Sequence, residues 1–550
     1  MPVFSVTDLA VSFATERGQI EAVRGVSFSV DAGKTLAIVG ESGSGKSVSL
    51  LAATGLLGAG NAIVKGQARY GDSDLIGMPE HRLRAIRGKD IGFVFQDPLS
   101  SLHPLKSIGT QVGEALTAHG RVPKRDRRRR VIELLDEVGI KEPQRRVDDY
   151  PVHFSGGMRQ RAIIAAAIAL NPSLLIADEA TTALDVTVQA SILALLQRLQ
   201  RDHGTALVFV SHDLAVVSDI ADDVVVMRSG EVVEKAPAEL IYVAPQHPYT
   251  VALLDSARHG LAPQGSAARR DGTEPLLAVT DVVKDFPVRG KRRQSFRAID
   301  GTSFDIGRAE IVGLVGESGS GKTTLGRIVS GLVRPTTGTV SIDGAVYNEA
   351  GRRRLQLDAT TRSRIQVVFQ DPYGSLNPRR RVGAILAEPF LLAGGLTGQE
   401  IEQQVTDLIR RVELPEDVVD RHPAHLSGGQ RQRVAIARAL ALQPDLVVAD
   451  EPVSALDVTT QAQILALIRH LRDALGVSFL FISHDLAVVA ELCDRVLVLH
   501  AGHIVEHGPT ADLFANPSDP YTQLLLDSVP GKRRALATVS SASGGDLLGD

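Results

Sequence analysis

GESGSGKS at Gly40–Ser47 returns as GESGSGKT at Gly316–Thr323, and this repeated stretch decides the fold. Its pattern, G-x-x-x-x-G-K-[ST], is that of a phosphate-binding loop. Glycines let backbone N–H groups curl around an anion, while a lysine and a hydroxyl complete the grip. An apolar strand runs into each copy (Thr35–Val39; Glu310–Val315), and helical sequence follows each (Ser47–Leu57; Thr323–Leu332). That helix points its positive end at the phosphates. Other segments recur in the same order: FQDP (Phe95–Pro98; Phe369–Pro372), FSGGMRQR and LSGGQRQR (Phe154–Arg161; Leu426–Arg433), LLIADE and LVVADE (Leu174–Glu179; Leu446–Glu451). VSHDLAVV (Val210–Val217) likewise returns as ISHDLAVV (Ile482–Val489). Lys46 recurs 276 residues on as Lys322, and Asp178 and His212 recur 272 residues on as Asp450 and His484. Coupled motifs with so little drift mean tandem duplication of one domain.

The chain has 550 residues, 44% hydrophobic and 23% charged, with a formal net charge of −4. Each half is long enough to bury a large core without a metal or disulfide staple. The near-neutral balance gives no chain-wide footprint for nucleic acid, and none is expected as a partner. Cys493 is the only cysteine, which excludes an internal disulfide and fits a reducing compartment. It reads as a small buried apolar residue. MPVFSVTDLAVSF has no basic stretch followed by an apolar one, so no secretory signal is expected. The longest apolar run, Ala162–Leu170, stops at Asn171-Pro172 and is too short to span a bilayer.

Each half opens with strand-like alternation (Val3–Phe13; Leu277–Phe286) and has an Arg-rich, mostly helical middle (Met78–Val147; Gly351–Asp420). Strands alternating with helices imply a largely parallel sheet with function at the carboxyl ends of its strands. We read a first domain over 1–257, a flexible linker over 258–275, a second domain over 276–530 and a disordered tail over 531–550. The short runs Arg127–Arg130, Arg352–Arg354 and Arg379–Arg381 read as solvated helix or loop faces.

The first loop offers Gly40, Glu41, Ser42, Gly43, Ser44, Gly45 and Lys46 to a nucleotide, with Ser47 and Val48 opening the helix. The second offers Gly316, Glu317, Ser318, Gly319, Ser320, Gly321 and Lys322, with Thr323 and Thr324. Lys46 and Lys322 are expected to neutralise β/γ-phosphate charge, and the Ser47 and Thr323 hydroxyls to ligate Mg²⁺. Asp178 and Asp450 end apolar strands, where a carboxylate can hold the Mg²⁺ shell, and Gln96 and Gln370 can join metal or water ligation. One residue on, Glu179 and Glu451 are placed to polarise the attacking water. His212 and His484 follow strands and are candidates to contact the γ-phosphate. Phe13 and Phe286 recur at equivalent strand positions and can stack on adenine, with core packing as the competing use. Ser155-Gly156-Gly157 and Ser427-Gly428-Gly429, the latter followed by Gln430, each precede a helix. A hydroxyl, bare N–H groups and a helix N-terminus are thereby aimed at an anion.

With those segments in place the sequence resembles the ATP-binding cassette (ABC) ATPases over nearly its whole length. The resemblance implies an α/β fold of two tandem P-loop nucleotide-binding domains, each with a mainly parallel core sheet, an antiparallel β subdomain and a helical subdomain. It also implies a head-to-tail sandwich in which the P-loop of one half faces the SGG segment of the other. One site would pair Lys46, Asp178, Glu179 and His212 with Ser427–Gln430. The other would pair Lys322, Asp450, Glu451 and His484 with Ser155–Met158, and Asp185 and Asp457 would line the shared interface. Both sites keep their full residue set, so both are expected to be active. Met158 departs from the usual Gln, Val48 follows the P-loop Ser, and Ala180 stands where Pro452 sits in the second half.

QHPYTVALLDSA (Gln246–Ala257) and SDPYTQLLLDSVP (Ser518–Pro530) resemble the C-terminal extension of ATPases that drive dipeptide, oligopeptide and nickel importers. That likeness implies a fused importer ATPase, peripheral on the cytoplasmic face of the membrane. Its partners would be two transmembrane permease subunits, reached near Gln96 and Gln370, and an extracytoplasmic solute-binding protein. Other solutes, such as nickel, glutathione or haem precursors, fit the same ATPase. The cofactors implied are ATP and Mg²⁺. Some relatives hold an iron–sulfur cluster on cysteines near this extension, which this chain lacks, so no cluster is expected. A translation-associated tandem ATPase is the rival, although such proteins carry a long charged helical linker where Arg258–Pro275 is short and loose.

Overall fold

The computed structural model describes residues 2–15, 18–58, 60–96, 101–120, 122–181, 184–259, 274–287, 295–351, 358–454 and 456–529. Most of the expected linker, the tail, Arg352–Arg354 and the Asp97-Pro98 end of the first FQDP segment lie outside them. Two compact units emerge, one built on residues up to Ala257 and the other from Arg258 to Val529.

In the first unit the strands are β1 (Phe4–Thr15), β2 (Gly18–Val30), β3 (Thr35–Val39), β4 (Ala62–Tyr70), β5 (Ser73–Asp74), β6 (Ile91–Val94), β7 (Leu174–Asp178), β8 (Ala206–Ser211), β9 (Asp223–Arg228) and β10 (Glu231–Pro237). They form two sheets, β2-β1-β4-β5 and β10-β9-β3-β8-β7-β6. The sequence separates them. In β1 the buried Phe4, Val6, Leu9 and Val11 are spaced by more exposed residues, as an antiparallel sheet with one wet face requires. TLAIV of β3 and LLIAD of β7 are buried throughout, as strands covered on both faces must be. All neighbours from β9 to β6 run parallel, and only β10 is antiparallel.

The second unit repeats this plan. Its strands are β11 (Leu277–Pro287), β12 (Ser295–Ile306), β13 (Ile311–Val315), β14 (Thr337–Ile342), β15 (Ala345–Glu349), β16 (Ile365–Val368), β17 (Leu446–Asp450), β18 (Ser478–Ile482), β19 (Arg495–His500) and β20 (His503–Pro509). They give sheets β12-β11-β14-β15 and β16-β17-β18-β13-β19-β20. The buried Cys493 belongs to its apolar core, as the sequence suggests.

The middles are helical. Helices Ile108–Ala118 and Arg127–Glu137 bury Ile108, Val112, Leu116, Val131, Leu134 and Leu135 on one side. Helix Gly398–Arg411 starts on a capping box between Thr397 and Glu400. The arginine runs are solvated: Arg128 pairs with Asp148, Arg130 with Glu133, and Arg381 with Asp420. The helices after the P-loops are shorter than read, Lys46–Ala53 and Lys322–Val329. Gly55 (φ 66°) and Gly331 (φ 70°) take the left-handed conformation just past each end. The amides of Leu56 and Leu332 then bond back to Leu51 and Arg327 carbonyls, closing each helix.

Candidate functional site

Register brings the motifs together. β3 lies between β8 and β9, with Val39 opposite Ser211, and β8 lies beside β7, with Asp178 opposite Val210. The first P-loop, the Asp178-Glu179 pair and His212 therefore leave neighbouring strands at the same carboxyl edge. In the second unit β13, β17 and β18 do the same. Gly45 (φ 98°) and Gly321 (φ 112°) precede the lysines; a Cβ there would lie 2.7 and 2.6 Å from the backbone oxygens of Ala22 and Ala298. Both the curl and the close approach require glycine.

Lys46 is buried, and its Nζ donates to the carbonyls of Gly40 (2.7 Å) and Glu41 (2.8 Å). Lys322 does the same with Gly316 (2.7 Å) and Glu317 (2.8 Å). Burial pulls both ammonium groups below their usual range, against the pull of the neighbouring Glu179 and Asp178 or Glu451 and Asp450. Ser42, Gly43, Ser318 and Gly319 stand exposed at the loop tips, while Ser44 and Ser320 are buried. Val48 is half-buried and packs against the apolar core. Thr324 is half-buried.

Ser47 Oγ donates to Asp178 Oδ1 at 2.9 Å, and Thr323 Oγ1 to Asp450 Oδ1 at 3.3 Å. Burial raises both aspartates, Asp178 to about 6, with the Ser47 bond opposing it. A hydroxyl and a buried carboxylate side by side are hard oxygen donors suited to Mg²⁺. Glu179 and Glu451 both have φ 47°, an uncommon conformation for glutamate, held by their N–H bonds to Val210 O (3.1 Å) and Ile482 O (2.9 Å). The kink meets Gln96 and Gln370, whose Nε2 donate to Glu179 and Glu451 Oε2, each at 2.7 Å. His212 Nδ1 lies 3.8 Å from Glu179 Oε2, and His484 Nδ1 3.2 Å from Glu451 Oε1. The Glu179 carboxylate raises His212; burial opposes, but Glu451 still raises His484. Burial pushes Glu451 up, yet His484 and Lys322 hold it below the usual carboxylate range.

Ser155 and Ser427 cap helices Gly156–Ile168 and Gly428–Leu440 by accepting from the amides of Met158 (3.3 Å) and Gln430 (3.2 Å). Gln430 Oε1 also accepts from Ser427 N at 3.1 Å, a return bond that Met158 cannot make. A Cβ on Gly157 or Gly429 would lie 2.5 Å from Val188 or 2.4 Å from Thr460, so these glycines admit the following helix. Among the described residues, Ser155–Gly157 and Ser427–Gly429 make no hydrogen bond to the lysine cluster of their own unit. Phe13 packs partly on the core, while Phe286 is 37% exposed under Lys284 Nζ, 5.0 Å from the ring centroid. Neither contacts the polar cluster through a described hydrogen bond or ring pair.

Sequence reading missed two residues. Tyr249 Oη accepts from Glu41 N at 3.0 Å, and Tyr521 Oη from Glu317 N at 2.9 Å. Only their recurrence in HPYT and DPYT could have flagged them.

The ABC transporter family matches residues 23–182 and 299–454, and the oligopeptide/dipeptide transporter C-terminal region matches 233–286 and 505–544. The glutathione import ATP-binding protein GsiA of Pectobacterium atrosepticum is 44% identical over 483 residues, 83% of this chain and 77% of that protein. The peptidoglycan transport ATP-binding protein YejF of Agrobacterium fabrum is 44% identical over 469 residues, 84% of each. GsiA of Escherichia coli K12 is 42% identical over 476 residues, 82% of this chain and 76% of that protein. With both family segments present in both halves, the chain belongs to the ABC transporter family, as a tandem ATP-binding protein whose ATPase activity is coupled to transport through membrane permeases.

Proposed function

We propose that this chain powers import of small peptides or peptide-like solutes, glutathione among them, through two composite ATP sites. The observation that carries the solute class is the oligopeptide/dipeptide C-terminal region in both halves, with relatives named for glutathione and peptidoglycan transport. No helix among the described residues is long and apolar enough to cross a membrane. The membrane path is therefore assigned to two permease subunits, fed by an extracytoplasmic solute-binding protein, with this chain peripheral on the cytoplasmic face. A groove of about 340 Å³ close to Gln96, with Phe93, Phe95, Leu102 and Ile163 beside the polar Arg87, Gln111 and Glu114, is the place we assign to an amphipathic permease helix.

In each site, Lys46 or Lys322 exchanges its loop carbonyls for β- and γ-phosphate oxygens. Ser47 with Asp178, and Thr323 with Asp450, would hold Mg²⁺. When bound, the ion neutralises charge across the β- and γ-phosphates. Glu179 or Glu451 accepts a proton as water attacks the γ-phosphorus and the bond to the β-phosphate oxygen breaks, giving ADP and phosphate. Gln96 and Gln370 hold those carboxylates in place, and His212 and His484 donate to γ-phosphate oxygens. Phe13 and Phe286 stack on adenine. Ser427–Gln430 serve the ATP held by Lys46, Ser155–Met158 serve the ATP held by Lys322, and Asp185 and Asp457 lie along the joint.

The test is a mild-detergent pull-down of the Glu179→Gln, Glu451→Gln variant with ATP, read by mass spectrometry. Recovery of two multi-span permeases supports the importer. Ribosomal proteins without permeases would replace it with a translation-associated ATPase.

A further inference from the structure

We propose that Tyr249 and Tyr521 are positioning residues for ATP binding, through which the C-terminal extension of each half sets the geometry of that half's P-loop. The inference rests on the P-loops being the ATP sites. Each tyrosine acts on one peptide group at the start of the loop. The Glu41 amide donates to Tyr249 Oη at 3.0 Å, while the Glu41 carbonyl accepts from Lys46 Nζ at 2.8 Å. In the second unit the Glu317 amide donates to Tyr521 Oη at 2.9 Å, and its carbonyl accepts from Lys322 Nζ at 2.8 Å. One residue is thus held on both sides, by the extension and by the lysine that grips phosphate.

The tyrosines are themselves held. Glu234 on β10 accepts from the amides of Gln246 (2.8 Å) and His247 (3.0 Å), fixing the turn into helix Pro248–His259. Glu506 on β20 accepts from Ser518 N (2.8 Å), Ser518 Oγ (2.7 Å) and Asp519 N (3.2 Å), ahead of helix Pro520–Asp527. The next residue in the chain explains why HPYT and DPYT are interchangeable. His247 Nδ1 accepts from Tyr249 N at 3.1 Å, and Asp519 Oδ1 from Tyr521 N at 2.8 Å, so either side chain caps the turn that presents the tyrosine. The rings are clamped as well, Tyr249 under the Arg228 guanidinium (4.9 Å) and Tyr521 stacked on His500 (3.9 Å between centroids). Different clamps at equivalent positions hold the same hydroxyl on the same amide. The shared feature is the bond to the loop.

Tyr249→Phe with Tyr521→Phe in the full chain removes the hydroxyls and keeps the rings. Titration with a fluorescent ATP analogue and Mg²⁺ is expected to show Kd raised about three- to tenfold, the range for one hydrogen bond per site. KM for ATP should rise in step, with kcat within about twofold, because the attacking-water carboxylates are untouched. The melting temperature should fall by no more than about 5 °C, as for a lost bond of that size in a domain of this length. A wild-type Kd and KM in the double variant would overturn the proposal. So would a raised Kd accompanied by an equally large fall in kcat and a collapse in melting temperature, the mark of a merely structural tyrosine. Failure of the wild-type chain to bind the analogue would instead remove the reading of the P-loops themselves, and this inference with it.

Discussion

At the scale of single residues, the kinked glutamates carry the sharpest expectation. Glu179 and Glu451 hold a left-handed backbone that brings their carboxylates to Gln96 or Gln370 and to a histidine. Glu179→Gln with Glu451→Gln keeps the bonds to the backbone and removes the base. Phosphate release should fall about 10²-fold or more with ATP binding retained, and hydrolysis near the wild-type rate would sink the assignment. Asp178 gives a pH test. Burial raises its carboxyl from 3.8 to about 6. A carboxylate raised on folding is better protonated in the folded chain, so the metal-free protein loses stability as pH rises from about 4 through 6. Mg²⁺ needs the ionised form, so its affinity should weaken as pH falls through about 6. In a Lys322→Ala background, Ser47→Ala also removes the hydrogen bond that lowers this group, and should move the acid limb upward. A limb near 4 would refute the shift.

At the scale of elements, the two SGG helices differ by one return bond. Gln430 closes a capping box on Ser427, and Met158 leaves Ser155 with a single bond. Gln430→Met should cost roughly 0.5–1 kcal/mol, a lowering of about 1–4 °C in melting temperature, and Met158→Gln should recover a similar amount. Differential scanning calorimetry decides it, and an unchanged melt for Gln430→Met would mean that the second bond contributes nothing. The same contrast explains why the Met is tolerated. The hydroxyl cap on the helix survives, so the N-terminus keeps its exposed amides for an anion.

At the scale of the whole molecule, the proposed composite sites make a coupling prediction. Lys46→Ala and Ser427→Arg would damage the same ATP, so their combined loss of ATPase activity should fall well short of the product of the separate losses. Strictly multiplicative losses in that double-mutant cycle would argue for separate sites. Lys46→Ala with Ser155→Arg is the contrast, because those residues would serve different nucleotides.

Periodicity and repetition in the sequence alone determine much of this protein. Continuous apolar runs such as TLAIV and LLIAD become strands buried on both faces, and the motif order puts the P-loop, Asp178 and His212 at or just past strand ends. These follow from local chemistry, since a glycine-rich turn between an apolar strand and a helix has few ways to fold. Helix ends were less legible: the bonds that stop the P-loop helices after Ala53 and Val329 depend on glycines taking left-handed angles. Only the tertiary structure decided what Glu179 and Tyr249 touch. The kink at Glu179 is held by a hydrogen bond from its N–H to the Val210 carbonyl on β8, and Tyr249 reaches Glu41 across 208 residues. Such pairings arise from strand register and helix docking, which place distant residues together without leaving a period or spacing in the sequence.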